Sequence, residues 1–225
     1  MTTTVPMERR ILKENDRLAA ELRGRFEAGG LLSLNLISSP GSGKTTLLER
    51  TLEGLPAGTR AAVLTGDIQT DNDARRIART GYPVKQISTG GTCHLDASMV
   101  ARALDGWDLD SIDLLFVENV GNLVCPTSFD LGEHAKIVLL SVAEGDDKPE
   151  KYPGIYRRAE LSLITKSDLL PHVEFNVEAA CTRAEQVHPG LRHIVLSCRS
   201  GEGMHEWQQW LAARRAAVAS AIEVP

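Results

Sequence analysis

The chain has 225 residues, 42% of them hydrophobic, which suffices for the core of one sizeable α/β domain. A net charge of -5 and a pI near 5.7 leave no broad basic field, so neither nucleic acid nor an anionic membrane is expected as a partner. No apolar run approaches about 18 residues, the start MTTTVPMERR leads into charge rather than an apolar leader, and Cys93, Cys125, Cys181 and Cys198 are too scattered for a disulfide framework; a cytoplasmic protein with reduced thiols is expected.

From Met7 to Ala28, apolar Ile11, Leu12, Leu18, Leu22 and Phe26 recur at helical spacing and Gly29-Gly30 supplies the stop. Residues 1–30 are therefore read as a leading amphipathic helix packed on a single domain that occupies residues 31–225. Seven short apolar runs follow, starting at Leu31, Ala61, Pro83, Ile112, Lys136, Leu161 and His193, with helical patterns between them. Runs of this kind, buried on both faces, predict an α/β fold with a mainly parallel, roughly seven-stranded sheet and helices on either side. The last helix, from about Met204 to Ile222, is expected to lay Trp207, Trp210, Leu211 and Val218 against the sheet.

Directly after the first strand stands SSPGSGKTT, Ser38 to Thr46. Gly41 and Gly43 let backbone amides turn inward around phosphate oxygens, Ser42 lies between them, Lys44 brings a charge to the β and γ groups, and Thr45, followed by Thr46, offers a hydroxyl to magnesium. The strand-loop-helix context makes the fold that of a P-loop NTPase, with the first glycine of the usual pattern replaced by Ser38. In an open parallel sheet ligands sit beyond the carboxyl ends of the strands. Asp67, after AAVLTG, and Glu118, after IDLLFV, fall there and are read with Lys44 as the catalytic set, the two acids holding magnesium directly or through water. Asp71 and Asp73 are read instead as caps of the helix that follows. Gly121 lets a backbone amide approach the γ-phosphate.

Cys93 and His94 follow the Gly90-Gly91 turn, and Cys125 lies seven residues beyond Glu118, so all three belong to the nucleotide side of the sheet. Thiolate and imidazole suit nickel and zinc, yet one chain offers only three such ligands, and the adjacent Cys93 and His94 would diverge on a helix. Small buried cysteines and a helix-capping histidine account for the same residues equally well. After LSLIT comes TKSD, Thr165 to Asp168, similar to the NKxD step with which GTPases read guanine. Lys166 and Asp168 are expected at the base, the carboxylate accepting from N1-H and N2-H₂, while Thr165 in place of Asn removes one usual contact. Ser197 and Cys198 open SCRSGEG, where GTPases bring a backbone amide near guanine O6; Cys198 itself is read as a small residue.

From about Leu31 onward, GDIQTDND, TGGTCHLDASMV, LLFVENVGNLVCPTSFDLGE, VAEGDDKPEKYP and SGEGMHEW resemble the hydrogenase nickel-incorporation GTPase family, HypB. The resemblance implies a GTPase, cycling between GTP and GDP, that dimerises with nucleotide and carries nickel or zinc at the dimer interface through Cys93, His94 and Cys125. It implies that Lys148 and Lys151 contact nucleotide across the dimer, and that a companion nickel accessory protein and the hydrogenase large subunit are partners. Many members add an amino-terminal cysteine motif or a histidine-rich stretch; neither is in this sequence, so the partner is expected to supply the nickel. A urease accessory GTPase, an ATP-using P-loop kinase or ligase, and a metal-buffering module are the competing readings.

Overall fold

The computed structural model describes residues 7–67 and 71–222; residues 1–6 of the predicted leading segment, Ile68 to Thr70 of GDIQTDND, and residues 223–225 lie outside the described part. In chain order the elements are α1 (Met7–Ala28), β1 (Leu32–Ser38), α2 (Lys44–Glu53), β2 (Ala61–Asp67), α3 (Asn72–Ala78), β3 (Val84–Ser88), α4 (Ala97–Leu104), β4 (Leu114–Glu118), β5 (Ala135–Ser141), α5 (Lys148–Lys151), α6 (Pro153–Tyr156), β6 (Ala159–Thr165), α7 (Val177–Val187), β7 (Arg192–Val195) and α8 (Met204–Ile222). Each apolar run read from the sequence becomes a strand, and the seven pair in parallel in the order β3-β2-β4-β1-β5-β6-β7.

Strands buried on both faces need apolar side chains at odd and even positions alike, which is why the runs read as continuous rather than alternating. On one face Leu34, Leu36, Val63, Phe116, Ile137 and Leu163 pack with Leu47 and Leu48 of α2 and with Trp207 and Leu211 of α8. On the other, Leu64, Leu115 and Val117 meet Leu22 and Phe26 of α1 and Val100 of α4, while Ile37, Val138 and Tyr156 form a neighbouring cluster. The inward stripe of α1 is Asn15, Ala19, Leu22 and Phe26; Ile11, expected on it, is 53% exposed. Among the described residues no helix is long and apolar enough to cross a membrane.

The strand order fixes where a ligand can sit. β1 lies between β4 and β5, so the chain leaves it in one direction towards β2 and β3 and later returns on its other side. Such a switch point opens a crevice at the carboxyl ends, and the loops after β1, β2, β4 and β6 converge there. α2, which starts the crevice wall, is fastened to α8 by Trp207, whose Nε1 donates to Thr51 Oγ1 at 2.8 Å and whose ring stacks on Trp210 with centroids 5.4 Å apart.

Trp207→Ala is expected to cost about 3–5 kcal/mol through the lost aromatic packing. Trp207→Phe, which keeps most of the packing and forfeits the Thr51 hydrogen bond, is expected to cost about 1 kcal/mol. Urea unfolding of the three proteins checks both values, and equal costs for the two substitutions would contradict the assignment of the loss to packing.

Candidate nucleotide and metal site

The turn between β1 and α2 curls because Gly41 and Gly43 take φ of 76° and 97°, a region that favours glycine. Lys44, the first residue of α2, is buried and folds back so that its Nζ donates to Ser38 Oγ at 2.9 Å. Ser38, the departure from the usual pattern, thus supplies the lysine with an acceptor. Burial pulls the Lys44 ammonium below its ordinary range, with the nearby Glu118 charge opposing the shift.

Glu118 ends β4 with only 3% of its surface exposed. Its Oε1 accepts from Thr45 Oγ1 at 2.7 Å, and its Oε2 is buried with no hydrogen-bond partner. Burial pushes this carboxyl up to about 7, against the pull of Lys44 and of the Thr45 hydroxyl. Asp67, at the end of β2, shares with these groups a cavity of about 500 Å³ that Gly41, Gly43, Thr46, Gly121 and Lys166 also line. Gly121 is held against the phosphate loop: a Cβ there would meet Pro40 Cα at 2.9 Å, so only glycine permits the approach.

Two residues expected as helix caps stand differently. Asp71 occupies the cap position of α3 without capping it, and its carboxylate pairs with Arg75 at 2.8 Å. Asp73 lines the cavity. Arg76, one turn further along, lines it as well, donating from Nη2 to Thr46 Oγ1 at 2.9 Å while paired with Glu49. Nothing local in the sequence distinguishes Asp73 from a cap, or Arg76 from a solvated arginine.

The phosphate loop is held from its far side. Thr165 Oγ1 donates to Ser42 O at 2.7 Å, and Lys166, the one described non-glycine residue at positive φ (62°), donates from Nζ to Gly41 O at 2.6 Å. Thr165 therefore makes a contact to the phosphate loop. Ser42 Oγ donates to Glu144 Oε1 at 2.7 Å, adding a third tie that the sequence did not disclose. Asp168 and Ser197 are brought together, Ser197 Oγ donating to Asp168 Oδ1 at 2.6 Å. Cys198 packs towards Met204, and burial pushes its thiol up to about 11, as befits a small, unreactive residue. Asp168, Ser197 and Cys198 lie beside the phosphate cavity rather than in its lining. Lys148 and Lys151 are also outside it: Lys148 pairs with Glu144 at 3.4 Å and lies over the Tyr152 ring, and Lys151 pairs with Asp147 at 2.6 Å.

Cys93, His94 and Cys125 meet where the loops after β3 and β4 approach each other. One donor atom from each falls within 4.8 Å of the others, with the two sulfurs 2.8 Å apart and Cys93 Sγ 4.0 Å from His94 Nδ1. The divergence expected on a helix does not arise, because residues 93–96 are irregular and α4 begins only at Ala97. Asp96, not His94, caps α4, its Oδ1 accepting from Met99 N at 2.8 Å. The His94 ring stacks on Phe129 with centroids 3.9 Å apart, and burial lowers its pKa, favouring the neutral imidazole that a metal requires. Val124, beside Cys125, is 60% exposed, so the cluster opens to the surface.

Residues 33–195 match the CobW/HypB/UreG nucleotide-binding domain family. The hydrogenase maturation factor HypB of Azotobacter chroococcum is 55% identical over 215 residues, an alignment covering 95% of this chain and 70% of that protein. Two crystal structures superpose closely: HypB from Helicobacter pylori in complex with nickel (TM-score 0.86, 38% identity, 91% of this chain and 96% of that one) and the hydrogenase maturation factor HypB from Archaeoglobus fulgidus (TM-score 0.84, 39% identity, 90% and 99%). The chain belongs to the HypB family of hydrogenase maturation factors, built on the nucleotide-binding domain shared by CobW, HypB and UreG.

Proposed function

We propose that this chain is a cytoplasmic GTP-hydrolysing metallochaperone that holds nickel between two copies of itself and passes it on during assembly of a [NiFe]-hydrogenase. One observation carries the reading: the Cys93, His94 and Cys125 donors converge, and Cys125 lies four residues beyond Gly121, which lines the phosphate-binding cavity together with Glu118. The nickel-bound relative from Helicobacter pylori supports the choice of cargo. Zinc suits the same donors and is the competing ion.

In this reading the amides around Gly41 to Gly43 cradle the phosphates and Lys44 leaves Ser38 to face the β and γ oxygens. Thr45, Asp67 and Glu118 fit magnesium, since the unpartnered Glu118 Oε2 and the adjacent hydroxyl form part of the oxygen set that this ion takes. Magnesium bound there would neutralise charge on the β and γ oxygens. Gly121 brings its amide to the γ-phosphate, and Asp168, with one oxygen occupied by Ser197, offers the other to guanine. Three ligands leave a four-coordinate ion incomplete, and a second copy supplies the remainder. Lys148 and Lys151, outside their own cavity, are available to reach the partner's nucleotide. The companion nickel accessory protein and the hydrogenase large subunit are the expected donor and recipient.

Three substitutions test the parts separately. Lys44→Ala is expected to lower GTP turnover by about 100-fold or more through lost stabilisation of the transferring phosphoryl group, read as phosphate release at saturating nucleotide. Asp168→Asn is expected to weaken GTP binding roughly 10- to 100-fold, the worth of hydrogen bonds to a charged acceptor, and to improve binding of xanthosine triphosphate; parallel losses for both nucleotides would remove Asp168 from base reading. Cys125→Ala is expected to weaken nickel binding by more than about 100-fold, beyond the range typical of outer-sphere changes, with its thiolate-to-nickel charge-transfer absorbance diminished. Wild-type titration in the alanine variant would discard the cluster as the nickel site.

A further inference from the structure

Asn119 is 1% exposed, directly behind Glu118, and every polar atom of its side chain is in use. Its Nδ2 donates to Oδ1 of Asn35, a fully buried residue in the central strand β1, at 3.2 Å. Asn35 in turn donates to Glu133 Oε1 at 3.1 Å, and Glu133 is fixed by Lys136 and by Leu131 N. The amide of Asn119 is thereby oriented from the rigid centre of the sheet. Its Oδ1 accepts two backbone N–H groups: Val120 N at 3.0 Å, next to Gly121, and Leu95 N at 3.2 Å, next to His94.

A second tie lies three residues on. Asn122 Nδ2 donates to Cys93 O at 3.3 Å, and its Oδ1 accepts from Val124 N at 2.8 Å, next to Cys125. The tripeptide Cys93-His94-Leu95 is consequently held at both ends by side chains of one short stretch, Asn119 to Asn122, which also contains the glycine pressed against Pro40 of the phosphate loop. Leu95 cannot shift independently: it is fully buried and lies against Gly66, where a Cβ would meet it at 2.9 Å, beside Asp67 at the end of β2.

We propose that Asn119 and Asn122 are positioning residues of the metal site, a two-point clamp through which the loop facing the γ-phosphate sets the placement of Cys93 and His94 relative to Cys125. The inference rests on the proposed nucleotide and metal roles and adds the residues that join them. Buried amides with discrete partners exchange one arrangement for another rather than stretching, so a displacement of Gly121 by phosphate must carry the Cys93 carbonyl and the Leu95 amide with it. By linkage the same clamp makes bound metal alter nucleotide affinity by an equal factor.

The test is the ratio of nickel dissociation constants measured with GDP and with a non-hydrolysable GTP analogue, magnesium present, by titrating the thiolate-to-nickel absorbance. The wild-type ratio is expected to depart from one by roughly 5- to 150-fold. Asn119→Leu, which removes the acceptor of Leu95 N, is expected to bring the ratio to within about 2-fold of one, whereas Asn119→Asp, which keeps an acceptor there, retains most of it. Asn122→Ala, at a less buried position, is expected to reduce the ratio as well and serves if Asn119→Leu does not fold. A purely structural role would lower the melting temperature and leave the ratio of the folded protein unchanged. A wild-type ratio kept in the folded variants overturns the clamp, and so does a wild-type ratio of one. Absence of any thiolate-nickel absorbance in the wild type with either nucleotide would instead overturn the metal role on which the inference rests.

Discussion

The carboxylate of Glu118, kept almost wholly from water at the end of β4, sets the terms for the groups around it. A buried anion of this kind is costly unless paired, and among the described residues it receives a hydrogen bond from Thr45 and has the charge of Lys44 nearby. Both ionisable groups are pushed towards neutrality by the same burial, the acid upward and the ammonium downward. The Glu118 Oε2 atom is left without a hydrogen-bond partner. The site therefore sets an acid with an unused acceptor atom beside a buried lysine.

The loops around this carboxylate are tied to one another by hydrogen bonds, most of them to a backbone group. The loop after β6 grips the phosphate loop through Thr165 and Lys166, and the loop after β5 grips it through Glu144. Lys166 adopts a left-handed backbone that costs a non-glycine residue of order 1 kcal/mol, and its bond to Gly41 O helps offset that cost. The loop that carries Cys93 is joined by Asn119 and Asn122 to the loop after β4, which carries Cys125. These loops are thus joined to one another by loop-to-loop hydrogen bonds.

Much of this is legible in the sequence where the physics is local. Strands buried on both faces announce themselves as apolar runs, and the Gly41-Ser42-Gly43-Lys44 turn is legible because its glycines and lysine act within a few residues of one another. The contacts that depend on distant segments are not. Thr165 reaches Ser42 across 123 positions, and the Cys93 and Cys125 sulfurs meet across 32, so spacing alone leaves buried cysteines as good a reading as metal ligands. Resemblance to a family, rather than periodicity, tips that balance. Asp73 passes for a cap because an acid in a first helical turn satisfies a local rule whatever it faces, and Ile11 passes for core because helical spacing defines a stripe without saying how wide the core beneath it is.

The central place of β1 has a consequence for how the chain comes to be folded. Both neighbours of this strand arrive late: Leu32 pairs with Leu114, and Ser33 finds His134 101 residues further on. At a synthesis rate of about 5–20 residues per second the strand is made several seconds before its second neighbour exists. During that interval the apolar segment LSLNLIS has no sheet to join, and its self-association competes with productive folding. The segment that anchors the phosphate loop is thus also the strand that waits longest for its last neighbour.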